Sequence, residues 1–177
     1  MNSLLTSLPV MLPVACAWAE KEEAIILDQG IPLNDAQLID ARQAGVAHPE
    51  KIRVLLVEAL PHPENEEIHF AAKQVGLFQG GSPSLALGYG IFLRYGFWED
   101  RQVLVHECVH VAQYEKLEGI RPFLNVYLRE CIDPGYPFGR LEQEAILISR
   151  EICKTLDTPL VSDSITQVSL STAHGDG

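Results

Sequence analysis

The sequence predicts a single α+β domain, with a helix-rich body packed on a small sheet. Three observations point to it. The chain has 177 residues, 47% hydrophobic and 21% charged, an ordinary globular balance that allows one real core. Two apolar runs, KIRVLLVEAL at 51–60 and LALGYGIFLRYGF at 85–97, have the composition of strands. Several further segments have helical spacing and recognisable ends.

Residues 14–29 read as a first helix stopped by Gly30. NDAQLIDARQAG reads as a second, capped by Asn34, with Gln37 placed to close a capping box and Gly45 as its stop. The run at 51–60, closed by PHPE, reads as a strand covered on both faces, and a short helix follows from Glu66 to Val75. After the turn-forming GGSPS, the glycines in 85–97 suggest a twisted or edge strand. WEDRQVLVHECVHVAQYEKLEG is the clearest helix, acidic at its start and ended by Gly119. Pro122 can open a further helix through Cys131, and Pro137 or Phe138 another through about residue 156. The domain is expected to span residues 1–157. The Ser- and Thr-rich remainder, 158–177, lacks a period and reads as a flexible tail.

Bulk charge narrows the partners. Thirteen basic residues against 24 acidic ones give a net charge of −11, which leaves no basic face for nucleic acid or an anionic bilayer. The uncharged run LLTSLPVMLPVACAWA has no Lys or Arg before it, is interrupted by Pro9 and Pro13, and is too short to span a bilayer. It is therefore expected to belong to the fold of a cytoplasmic protein with no membrane span, export following only if the run acts as a signal peptide. Cys16, Cys108, Cys131 and Cys153 show no C-x-x-C spacing and read as buried free thiols.

The chemistry concentrates in VHECVH, residues 105–110. On a helix, His106 and His110 project to one side one turn apart, so two imidazoles can meet one cation. Glu107, rotated by about 100°, can reach a water instead of the cation, the logic of H-E-x-x-H zinc sites with a glutamate as general base. Cys108 turns about 200° away from His106 and is no partner in that site. The neighbours in VLVHECVHVA are nearly all apolar, so unpaired imidazoles and a carboxylate there would each cost about 1–3 kcal/mol. A catalytic zinc ion (Zn2+) usually takes a third protein ligand. Gln113 and Lys116 stand where a Met-turn enzyme needs Gly and His, which excludes that class. A glutamate on a following helix is the other common solution, and FGRLEQEAILISREI supplies Glu142, with Glu144 in reserve.

HECVHVAQYEKLEGIRPFL, followed by LEQEA with Glu142 standing 32 residues after His110, resembles the gluzincin metallopeptidases, in particular small bacterial zincin-like proteins. The resemblance covers about residues 84–150. It implies zinc held by His106, His110 and Glu142, Glu107 as the base, a zincin-like fold with a glutamate helix after the motif helix, and an edge strand at 85–94 that pairs with an extended peptide substrate. Many relatives carry an acidic residue where this chain has Ile146, so support for a zinc histidine must come from elsewhere or be missing. Gln113, one turn beyond His110, reads as a residue that fixes a loop or a ligand. Tyr127, Tyr136 and Arg140 are candidates to stabilise an oxyanion, with Tyr136 favoured because GYP precedes the glutamate helix. His48, His62, His69 and His174 have no partner at metal spacing and read as surface or loop residues. The expected activity is zinc-dependent peptide hydrolysis. The alternative is a non-catalytic zinc-binding or scaffold protein that keeps the same core.

Overall fold

A computed structural model describes residues 3–78 and 81–154. The two apolar runs meet edge to edge: β2 (Arg53–Val57) pairs in parallel with β4 (Gly90–Arg94), Val54 opposite Ile91 and Leu56 opposite Leu93. β1 (Ile31–Pro32) adds antiparallel to β2 and β3 (Ser84–Leu87) antiparallel to β4, so the mixed sheet runs β1-β2-β4-β3 with β3 at an edge.

Successive strand residues alternate between faces, and both faces are covered. Val54, Ile91 and Leu93 enter a core shared with α2 (Asp35–Gln43), α4 (Arg101–Lys116) and α6 (Arg140–Lys154). Leu55, Leu87 and Phe92 enter a second core against α1 (Ser3–Gln29) and α5 (Ile120–Glu130). The layers are therefore helix, sheet, helix, the α+β arrangement expected, with α3 (Glu66–Gln74) against α1. The predicted capping box forms, Gln37 N donating to Asn34 Oδ1 and Asn34 N to Gln37 Oε1, both at 2.9 Å.

Several expectations are corrected. The first helix starts at Ser3, well before residue 14, and runs through both prolines. Pro9 and Pro13 are exposed, so the carbonyls whose helical donors they remove can turn to water. Its inward stripe, Leu8, Leu12, Cys16, Ala19 and Ile26, is buried. With 27 residues, α1 is long and apolar enough to cross a membrane by length and composition, against the expectation that the run is too short. The run 85–97 is a hairpin followed by a short turn. Gly88 (φ +60°) takes the first loop position, where a tight hairpin turn requires glycine, and a side chain there would fall on the Glu23 carboxylate. That carboxylate accepts from Tyr89 N at 2.8 Å and fastens the hairpin to α1. His62 is exposed on a loop as expected, whereas His69 sits half-buried on α3, and their tilted rings lie with centroids 4.2 Å apart. α5 begins at Ile120, ahead of Pro122, and α6 begins at Arg140. The expected tail at 158–177, the end of the last helix near 156, and His174 lie outside the described residues.

Candidate metal centre

α4 is capped by Asp100, whose carboxylate accepts from Val103 N at 3.2 Å, and runs through the core with Val105, Cys108, Val109, Val111 and Ala112 buried. Such a helix carries its polar residues inside with it. His106, His110 and Gln113 follow at i, i+4 and i+7 along one side. On α6, Glu142 lies in the first turn, and buried Ala145 and Ser149, both small, let the two helices approach. Glu142, His110 and Glu107 are each 5% exposed.

The ligand atoms converge. His106 Nε2 lies 3.2 Å from His110 Nε2 and 3.4 Å from Glu142 Oε2, and His110 Nε2 lies 3.3 Å from Glu142 Oε1. One ligand atom from each residue falls within 4.8 Å of the other two. Bonds of about 2.0–2.1 Å in a tetrahedral shell place neighbouring ligand atoms about 3.3–3.4 Å apart, close to the separation of the two ring nitrogens and of each ring from its own oxygen of Glu142, so these residues could hold a metal ion. Two imidazole nitrogens facing each other at such a distance repel unless a proton or a cation lies between them.

The supports fix the tautomer. Gln113 Nε2 donates to the Leu141 carbonyl and to Glu144 Oε2, each at 2.9 Å, so Gln113 Oε1 is the atom 2.8 Å from His110 Nδ1. That ring nitrogen must then carry a proton, so Nε2 is the nitrogen turned to the cluster, and in the neutral ring it offers a lone pair there. Gln113 therefore supplies the support that Ile146 cannot, and Glu144, the reserve ligand, faces Gln113 instead of the histidines. Tyr127 OH donates to Glu142 Oε1 at 2.6 Å, which orients the carboxylate from its other side. Although burial pushes the Glu142 carboxyl up, hydrogen bonds from His106, His110 and Tyr127 outweigh it and hold the group far below the usual range. Burial pushes the His110 ring down, and its bond to Glu142 with the field of Glu107 reverses that. The Tyr127 phenol is raised well above its ordinary value by burial and the Glu142 charge, so it remains a donor.

Glu107 Oε1 accepts from Ser84 Oγ at 2.6 Å, which ties α4 to the edge strand. Ser84 has no signature in the sequence, since its role depends on the pleat that turns it toward α4. A cavity of about 440 Å³ adjoins the cluster, and His106, Glu107, His110, Glu142, Tyr127 and Tyr136 all line it. Every residue from Ser82 to Leu87 lines it too; a strand face would offer only alternate residues, so the outer edge of β3, unpaired among the described residues, faces the cavity. Tyr136 is partly exposed, and its phenol is pushed up to about 12 by burial and by the charges of Glu142 and Glu107. Arg140 does not line the cavity and lies 3.7 Å from Glu130.

No family model, curated protein or solved structure matches this chain.

Proposed function

We propose that this protein is a zinc-dependent metallopeptidase of gluzincin type, hydrolysing peptide bonds in the cavity beside the cluster. The observation that carries the reading is the convergence of His106, His110 and Glu142 at 3.2–3.4 Å on a buried helix pair that opens on one side to a cavity. These three residues would hold the metal, which when bound polarises a carbonyl and brings the pKa of water toward about 7. Glu107, in the same cavity, takes the proton of the attacking water and returns it to the leaving amine. The free edge of β3 offers main-chain donors and acceptors to an extended substrate. Tyr136 keeps its proton at neutral pH and donates to the developing oxyanion. Tyr127, engaged with Glu142, holds the ligand carboxylate in place.

A second reading, metal binding without turnover, is favoured by one contact: the Ser84 hydroxyl occupies an oxygen of Glu107. Metal analysis with a peptide-library assay separates the two. Native protein is expected to contain one zinc per chain, Glu142→Ala to lose it, and Glu107→Gln to keep it while losing cleavage. Zinc in the wild type with no cleavage of any peptide rejects the peptidase, and full metal content in Glu142→Ala rejects the ligand set.

A further inference from the structure

The cavity extends well past the cluster. Its far walls come from α1 and α3, with Leu4, Leu8, Met11 and Trp18 on α1 facing the space and Ile68 and Phe78 closing it. Every ionisable side chain that lines it among the described residues, His106, Glu107, His110, Glu142 and the two phenols, comes from α4, α5, α6 or the α5–α6 connection. Among the described residues no Lys, Arg or Asp reaches it, although the chain carries 37 charged Asp, Glu, Lys and Arg residues. A charged group pushed toward the α1 wall would lose its water and find no partner there. The volume is that of a pocket for a small ligand or a few residues of peptide. Because the free edge of β3 faces the same space, a peptide paired to it would send alternate side chains toward α1 and α3. α1 lies outside the motif region, so the wall is a separate feature from the metal ligands.

We propose that the N-terminal half of α1 is the selectivity wall of this site and restricts its occupant to an uncharged, apolar segment of peptide. The inference rests on the peptidase reading for the nature of the occupant. The two stand on different residues and fail separately.

The test is binding in the full chain carrying Glu107→Gln, which removes turnover. The probes are a dye-labelled seven-residue peptide with a leucine–phenylalanine–leucine centre and the same peptide with glutamate at the central position, followed by fluorescence anisotropy. The apolar peptide is expected to bind at least about tenfold more tightly. Met11→Lys is expected to weaken it about tenfold and to close or reverse the gap. Leu4→Lys, in the first turn of α1, should act in the same direction with less risk to the fold. Val10→Lys, on the outer face at 78% exposure, should leave both affinities unchanged. Equal affinities for the two peptides, or an unchanged gap in both Met11→Lys and Leu4→Lys, overturns the proposal. Selective binding lost in those variants, in a protein whose Glu107-intact form cleaves nothing, rejects the peptidase and sustains the wall.

Discussion

Truncating Gln113 to alanine removes the support behind His110, and the structure gives a size for the effect. The side chain is 2% exposed and bonds His110 Nδ1 at 2.8 Å and both Leu141 O and Glu144 Oε2 at 2.9 Å. Glu144 is only partly buried and regains its lost bond from water. His110 Nδ1–H and the Leu141 carbonyl do not, and a buried polar group left without a partner costs about 1–3 kcal/mol. The expected loss for two is about 2–6 kcal/mol in the metal-free protein, toward the lower end if a water enters the vacated space. Losing the acceptor also frees the imidazole to turn or change tautomer, and partners of this kind are worth about 10–100-fold in metal affinity. Denaturant unfolding of the metal-free protein measures the first effect, and zinc titration against a chromophoric chelator the second. Gln113→Glu separates them. Its carboxylate still accepts from His110 but sets oxygen against oxygen at Leu141 and Glu144, so stability falls while affinity holds. Wild-type stability and affinity in Gln113→Ala would refute the reasoning.

Tyr127→Phe removes the 2.6 Å bond to Glu142 while the ring keeps its stack on Phe123 at 5.6 Å between centroids. A hydrogen bond to a charged group is worth about 1.5–3 kcal/mol, so zinc affinity should fall roughly tenfold or more with an unchanged circular dichroism spectrum; unchanged affinity removes Tyr127 from the site. Gly88→Ala forces a side chain into a left-handed position against Glu23, and should destabilise by at least about 1–2 kcal/mol in a thermal melt. The thiols of Cys16, Cys108 and Cys131 are buried and raised, Cys131 to about 12 by burial and the Glu142 charge. Iodoacetamide should therefore spare these three in native protein and modify all four cysteines after denaturation; rapid native labelling of Cys108 would contradict the placement of α4.

What the sequence makes legible follows the range of the interactions. The pairing of His106 with His110 depends on one helical turn, and the capping box of Asn34 and Gln37 on three residues, so both can be read locally. Choosing Glu142 over Glu144 needs the face of α6, and Ala145 and Ser149, small and buried, mark that face only once α4 is packed against it. Gln113 is visible as a neighbour of His110, but its bonds to Leu141 and Glu144 cross 28 and 31 residues of chain. The same holds for Ser84 with Glu107, for the ring contact of His62 with His69, and for the added strand Ile31–Pro32, too short to carry a periodic signal. The prolines misled for a physical reason: proline removes a helical donor wherever it stands, but exposure decides whether the chain must break.

A structural role alone explains the cluster poorly. His110, Glu107 and Glu142 are each 5% exposed in the core between α4, α6 and the sheet, where well-packed apolar residues of similar volume are often as stabilising as a buried ion pair or more so. An ion pair between α4 and α6 would need one imidazole, yet both present Nε2 to the same carboxylate. A cation answers the mutual repulsion of those nitrogens and the buried charge of Glu142 together, so binding should appear as folding stability. At free zinc about 1,000 times the dissociation constant, the linkage contributes about 4 kcal/mol. For a chain of this size, each kcal/mol moves the melting temperature by roughly 2–4 °C, so the midpoint should rise by about 8–16 °C over chelator-treated protein. Glu142→Ala should abolish most of the rise, whereas Glu107→Gln should leave it. An equal midpoint with zinc and with chelator would mean that the three side chains hold only one another and a proton.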